Sequence, residues 1–274
     1  MARLHMLKSL TDTINTSFIL ESGDTLLLVD GGFPSEAPYL YEYLKQLGGH
    51  VTAWFITHIH DDHMGCFCTM LDEHPDIRVD AVYNHFPSVE FASKGEPKQT
   101  TKTTAELMEL FDRLIREHGA AHVIPERGDV FTFDEGNVTM RVLRTPDERI
   151  TANPINNSSC VYRLEINGKS VLFLGDLGVE GGLQLMELTE PELLHADYVQ
   201  MAHHGQGGVS REVYEAIRPS YCLWCTPSWL WENQGPRGYD TGMFQTVIVR
   251  GWLSEIGGIK RHYRMTEGTH VIEL

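Results

Sequence analysis

No stretch of the 274 residues approaches the roughly 18 consecutive apolar positions of a membrane-spanning helix, so no membrane partner is expected. Cysteine is scarce, and its five residues are an odd number, which argues against a disulfide framework. Cys66 and Cys68 flank Phe67, and Cys222-x-x-Cys225 lies in an apolar, strand-like run. With no second pair at zinc-ribbon spacing, all of these read as buried thiols. Positive charge is also in deficit: 22 Lys plus Arg face 38 Asp plus Glu, a formal net of -16. That balance opposes attraction to a polyanion, so a nucleic-acid polymer is an unexpected partner and a small-molecule substrate the expected one. Two short basic clusters, Arg141, Arg144 and Arg149 or Lys260, Arg261 and Arg264, are the places where a single phosphate could be held. Met1 to Leu10 has basic residues but no apolar core of signal-peptide length, and the expectation is cytoplasmic residence. No linker, internal repeat or low-complexity block divides the sequence, and residues 1–274 are expected to form one domain.

What the chain does have is histidine, and in one place a great deal of it. Thr57-His58-Ile59-His60-Asp61-Asp62-His63 follows the apolar stretch Val51 to Ile56. Such dense polarity directly after a buried strand is better explained by metal coordination than by core packing. A strand end followed by a turn lets His58 and His60 converge on one ion while Asp62 and His63 reach a neighbouring one. Asp61 is expected to face solvent or an adjacent turn.

Two further patches have matching chemistry. Phe173-Leu174-Gly175-Asp176 places a carboxylate at the end of an apolar strand, and Met201-Ala202-His203-His204-Gly205 places two imidazoles at the end of another. A carboxylate between two cations about 3.5–4 Å apart can bridge them and offset their repulsion, which makes Asp176 the candidate bridge. Neighbouring side chains at a strand end point apart, so one of His203 and His204 is a ligand and the other an acid/base or supporting group. The residues alone do not order them.

The surrounding pattern supplies strands and helices in alternation. Asn15 to Leu20 and Thr25 to Asp30 read as a hairpin, Pro38 to Leu47 as a helix and Val51 to Thr57 as a buried strand. A helix is expected from Asp62 or His63 to about His74, a strand over Val79 to Tyr83, a surface loop over Phe86 to Lys102 and an amphipathic helix over Thr103 to His118. Strands follow at Val130 to Phe133, Val138 to Leu143, Ser159 to Ile166, Ser170 to Leu174, Tyr198 to Met201 and Tyr221 to Cys225. Helices are expected near Gly182 to Leu188, Ser210 to Ile217 and Thr241 to Ser254, with closing strands near Lys260 to Arg264 and His270 to Glu273. The order suits an α/β fold of the αββα sandwich type, two mixed sheets face to face with helices outside.

Together these residues resemble the metallo-β-lactamase-fold hydrolase superfamily. Asp30 with its following glycines matches the first motif, Thr57 to His63 the signature, Gly175-Asp176 the bridging carboxylate and Ala202-His203-His204-Gly205 the last histidine. The combination of Asn156-Asn157-Ser158-Ser159 with the last two looks most like the branch containing competence DNA-uptake proteins and phosphorylcholine esterases. That likeness implies His204 as the ligand and His203 as the catalytic or supporting partner. It also implies a metal set of His58, His60, Asp62, His63, Asp176 and His204, with Asp30 orienting a ligand. Many members carry another His before the strand that begins here near Ser159, and this chain has Asn156-Asn157 instead. The His58–His60–Asp176 position is then completed by water, by substrate or by an Asn oxygen, or else binds its ion weakly.

The function these readings lead to is a dinuclear metal-dependent hydrolase working through a metal-bound hydroxide, since a cation lowers the pKa of its water from about 15.7 to about 7. Zinc is the default, with manganese or iron accepting the same donors. Asp62, doubling as a ligand, and His203 are the candidate catalytic residues. Asn156, Asn157, Trp229, Trp231 and Tyr239 are candidate substrate-binding residues, the aromatics because their faces can stack a base or hold a quaternary ammonium. The expected substrate is a phosphodiester or phosphomonoester. The alternatives are a carbon ester (lactone, thioester or β-lactam) and a diiron redox protein on the same scaffold.

Overall fold

The structure is a computed structural model that describes residues 2–95 and 102–274. The first half runs β1 (Ala2–Met6), β2 (Phe18–Ser22), β3 (Thr25–Val29), α1 (Ala37–Gln46), β4 (His50–Phe55), α2 (Cys66–Glu73), β5 (Arg78–Tyr83), α3 (Val89–Gly95), α4 (Thr104–His118) and β6 (Ala121–Val123). The second runs β7 (Val130–Phe133), β8 (Val138–Arg144), β9 (Val161–Ile166), β10 (Lys169–Phe173), α5 (Val179–Leu188), α6 (Pro191–Leu194), β11 (Tyr198–Gln200), α7 (Arg211–Ile217), β12 (Tyr221–Trp224), α8 (Ser228–Trp231), α9 (Thr246–Ile256), β13 (Arg261–Arg264) and β14 (His270–Glu273). Among the described residues no helix is long and apolar enough to cross a membrane.

Strand β3 has buried apolar side chains at four consecutive positions, Leu26 to Val29, a pattern a strand needs only when both its faces are covered. Both are. Leu27 and Val29 join Ala53 and Phe55 against Val142, Tyr162, Leu164 and Phe173 of the second sheet. Leu26 and Leu28 turn the other way and pack with Val51 and Trp54 under Leu40, Phe67 and Phe111 of the outer helices. The second sheet repeats the arrangement, with Leu172, Val199 and Cys222 beneath Leu185, Val213 and Leu253. Full burial of such side chains stabilises the fold by about 1.5–3 kcal/mol each. The described strands form two seven-stranded sheets, ordered β14-β1-β2-β3-β4-β5-β6 and β13-β12-β11-β10-β9-β8-β7. The layers are therefore helix, sheet, sheet, helix, the expected αββα sandwich.

Parallel pairing decides where the polar loops emerge. β3 lies parallel to β4 with Val29 opposite Phe55, and β10 lies parallel to β11 with Phe173 opposite Gln200. The loops after these four strands leave from their carboxyl ends. Two contacts bind the sheets at this rim: Tyr162 Oη donates to the Ile56 carbonyl at 3.1 Å, and Cys160 N to the Thr57 carbonyl at 2.8 Å.

Several elements differ from expectation. β1 and β6 have no counterpart among the expected strands, and β1 is held on one side by β2 and on the other by β14, from the far end of the chain. Part of the loop expected over Phe86 to Lys102 is helix α3, and residues 96–101 of it lie outside the described residues. The helix expected from Thr241 starts at Thr246, because Asn233 takes the preceding backbone into a turn by accepting from Gly242 N at its carbonyl and from Phe244 N at Oδ1. α4 has the cap and stop its sequence signals: Thr103 and Glu106 form a reciprocal capping box, and Gly119 ends the helix at φ 80°. All five cysteines are free and buried.

Candidate metal centre

After β3 the chain reaches Asp30, whose backbone is left-handed (φ 56°) and whose carboxylate is fully buried. Its Oδ1 accepts from Thr57 N at 2.8 Å and its Oδ2 from Thr57 Oγ1 at 2.8 Å. Oδ2 also accepts from His63 Nδ1 at 2.7 Å, fixing that ring with Nε2 turned the other way. A carboxylate behind an imidazole sets its tautomer and raises its basicity as a ligand. Asp61–Gly65 is a π-helical turn, a widening of the helix that is common at functional sites. It is pinned by Gly31 N and Gly32 N donating to the His63 carbonyl at 2.7 and 3.2 Å.

Asp176 enters from the opposite sheet. Gly175 before it sits at φ 56° with no room for a side chain, since a Cβ there would lie 2.7 Å from Ser159 Oγ and 3.0 Å from Thr57 Cβ. Asp176 N donates to Ser159 Oγ at 3.0 Å. Gln200, buried at the end of β11, accepts from Leu174 N at 2.9 Å and donates to the Gly175 and Met201 carbonyls at 3.0 and 2.7 Å, locking two strand ends together. His203 and His204 both have left-handed backbones (φ 49° and 54°), which turns their rings apart. His204 Nδ1 donates to the Cys225 carbonyl at 3.0 Å, leaving Nε2 to face the carboxylates.

These restraints bring two donor groups together. Asp62, His63, Asp176 and His204 form one and His58, His60 and Asp176 the other, each with its candidate ligand atoms within 4.8 Å of one another. Asp176 belongs to both. His63 Nε2 lies 3.0 Å from Asp176 Oδ1, while His204 Nε2 lies 3.0 Å from Asp62 Oδ2 and 3.2 Å from Asp176 Oδ2. His58 Nε2 is 3.0 Å from His60 Nδ1 and 3.8 Å from Asp176 Oδ2. Among the described residues, His63 Nε2, His204 Nε2 and Asp176 Oδ1 are nevertheless buried without an aligned hydrogen bond. Leaving such an atom unsatisfied costs about 1–3 kcal/mol. Three of them turned toward a common point is the arrangement a cation in their midst satisfies. The donors therefore fit a metal.

Burial, reinforced by the His63 ring, pushes His58 well below the usual imidazole range, so it is neutral and able to ligate. Burial works against a charged His63, but Asp176, Asp30 and Asp62 outweigh it and hold the ring well above that range. Against the same burial penalty, Asp176 and Asp62 push His204 up to about 9. Asp176 is held well below the carboxylate range despite burial, by the rings of His204, His63 and His203.

The remaining candidates fall in different places. His203, at 21% side-chain exposure, stands at the mouth with Nε2 3.8 Å from Asp176 Oδ2. Asn156 Nδ2 is 3.4 Å from that same Nε2. Asn157 is turned to the scaffold: its Oδ1 accepts from Gly178 N and Gly181 N at 3.0 Å each, and its Nδ2 donates to the Ala152 carbonyl. Trp229 donates from its indole to the Asp12 carbonyl at 3.2 Å and leans on Phe244. Trp231 packs edge-on against Trp224 and carries the guanidinium groups of Arg250 and Arg264 on its ring. Tyr239, 61% exposed, accepts from Arg250 Nη2. Among the described residues, none of these three aromatics hydrogen-bonds to or stacks on Asp62, His63, Asp176, His203 or His204. In the basic clusters, Arg144 is buried, holding the Ser159 carbonyl at 2.9 Å, Arg149 pairs with Asp147, and Arg264 pairs with Glu267.

The sequence profile of the metallo-beta-lactamase superfamily matches residues 10–215, a span that contains every donor named above. The chain belongs to this superfamily. ComE operon protein 3 of Bacillus subtilis (strain 168) is 28% identical over 181 residues, a match covering 66% of this chain and 20% of that protein. The chain thus aligns with about a fifth of its curated relative. CmlA of Streptomyces venezuelae, a diiron beta-hydroxylase, superposes with a TM-score of 0.59 at 14% identity, over 100% of this chain and 54% of its own. Igni18, a metallo hydrolase of Ignicoccus hospitalis, superposes with a TM-score of 0.57 at 13% identity over 100% of both chains. At these identities the structural likeness is one of fold.

Gln200, the Cys225 carbonyl and the hydrogen bond from Asp176 N to Ser159, a residue noted only within the Asn156–Ser159 resemblance, are the parts of the site that sequence reasoning missed. Gln200 had a usable signal, a polar residue at the end of an apolar strand. The other two act through contacts that no local pattern encodes.

Proposed function

We propose that this superfamily member is a dinuclear metal-dependent hydrolase acting on a phosphodiester or phosphomonoester of a small molecule. The observation that carries the reading is the sharing of Asp176 by the two donor groups. Asp62, His63, Asp176 and His204 would hold one divalent cation, and His58, His60 and Asp176 the other. Zinc suits these nitrogen and oxygen donors, as do manganese and iron. Bound there, such cations acidify a water molecule and neutralise charge on a phosphoryl or acyl oxygen.

The chain's own groups divide the remaining work. Asp30 and the Cys225 carbonyl hold the His63 and His204 rings in the tautomer that directs Nε2 inward. Asp62 holds its carboxylate against His204 and is placed to take up a proton from the attacking water. His203, partly exposed at the mouth beside Asp176, is placed to give a proton to the departing oxygen. The His58–His60 side has one histidine or carboxylate fewer than the other. Trp229 is assigned to the pocket wall: it bonds to Asp12, on the loop that continues to Thr16, and Thr16 N donates to the Asp62 carbonyl at 3.1 Å.

A substrate panel of bis-nitrophenyl phosphate, a homoserine lactone and a chromogenic cephalosporin, run with zinc and with manganese, tests the assignment. Phosphodiester turnover is expected. Lactone or cephalosporin turnover without it would move the chain to the carbon-ester class. Iron content with visible absorbance after anaerobic purification, and no turnover of any of the three, would favour a diiron redox protein.

A further inference from the structure

The sequence leaves three ways to complete the position of His58, His60 and Asp176, namely water, substrate or an asparagine oxygen, and particular contacts of Asn156 select among them. Asn156 is 5% exposed and opens the single turn Asn156–Ser158 ahead of β9. Its Nδ2 donates to Asn153 Oδ1 at 3.1 Å, which identifies the nitrogen end of the amide. Among the described residues, Oδ1 is left buried with no hydrogen-bond partner. Nδ2 lies 3.4 Å from His203 Nε2, itself 3.8 Å from Asp176 Oδ2, so a single imidazole nitrogen stands between the amide and the shared carboxylate. Asn157 has no comparable spare atom, since its oxygen is taken by two backbone N–H groups. An amide oxygen buried without a donor calls for a positive partner, and carbonyl oxygen is an ordinary ligand for hard divalent cations.

We propose that the side-chain oxygen of Asn156 is the fourth protein donor of the His58–His60–Asp176 position, and that this position holds the more weakly bound of two cations. The inference rests on the dinuclear reading above. The other position has two carboxylates, Asp62 and Asp176, set against its cation. This one has a single shared carboxylate and a neutral amide, so less negative charge offsets the ion. Oxygen in place of a further imidazole also inclines it toward manganese more than toward zinc.

Calorimetric titration of the metal-free full chain with manganese, and separately with zinc, reads this directly without any substrate. Two binding steps are expected, the second weaker by about tenfold or more. Asn156→Leu should weaken the second step by about tenfold or more and leave the first unchanged, and His58→Ala should abolish that same step. Asn156→Asp, which adds a charge at the same reach, should tighten the second manganese step. The proposal is overturned if Asn156→Leu leaves the second step in place or weakens both steps equally, or if Asn156→Asp fails to tighten it. A wild-type chain that takes up no cation at all would instead remove the dinuclear reading on which the proposal stands.

Discussion

Asp30 Oδ2 accepts from His63 Nδ1 at 2.7 Å with both side chains wholly buried, although 33 residues separate them in the chain. The carboxylate sits behind the ring and directs its other nitrogen at Asp176. Asp30→Asn keeps the size but loses one of two acceptors, so either Thr57 or His63 loses its partner. Metal affinity should fall about 10–100-fold with the fold retained, checked by competition with a chromophoric chelator and by circular dichroism.

Protonation gives a second expectation. His63 is held well above the usual imidazole range and His204 at about 9, burial being outweighed by neighbouring carboxylates. A group whose folded pKa is raised stabilises the fold fully below its unfolded value, near 6.5, and that contribution disappears as pH rises through the folded value. The metal-free chain should therefore lose thermal stability between about pH 6.5 and 9 as the His204 proton leaves. Cations compete with the same protons, so metal affinity should rise with pH over that window, and binding near pH 7.5 should release protons. Heats of binding measured in buffers of different ionisation enthalpy count the protons, and a buffer-independent heat would contradict this.

Gly175 tests the architecture that delivers Asp176. An alanine there would adopt φ 56° and place its Cβ 2.7 Å from Ser159 Oγ and 2.9 Å from Ser159 Cβ. Left-handed backbone and overpacking together should destabilise the chain by at least about 2 kcal/mol, read from denaturant unfolding. Metal uptake should weaken as Ser159 is pushed aside.

How far the sequence reads this molecule varies with the range of the contact involved. Thr57 to His63, Gly175-Asp176 and His203-His204 declare themselves locally, because polar residues at the ends of apolar strands have no packing reason to be there. The sandwich is legible for a related reason: Leu26 to Val29 is a continuous apolar run, which only a doubly covered strand requires. β1 escapes because Arg3 and His5 interrupt five residues that are held between β2 and β14, the latter from the other end of the chain. β6, three residues long, has no buried face to signal it. Arg144 looks like a surface cation in sequence and is buried on the Ser159 carbonyl, an interaction with backbone that composition does not register.

His203 separates ligand from acid. Placed at the mouth as a proton donor, it contributes no bond to the tightly held cation, so His203→Ala should keep its metal stoichiometry. Turnover of the best substrate should fall about 10²–10⁴-fold. Loss of metal in this variant would make His203 a ligand.

Whether one carboxylate serves two cations is decided by elemental analysis of the purified chain beside its Asp176→Ala variant, both reconstituted with the same divalent cation and freed of excess. Because Asp176 belongs to both donor groups, two ions per chain are expected in the wild type and loss of both in the variant, with the fold intact by circular dichroism. A variant that keeps the full complement of metal would contradict the shared-carboxylate centre.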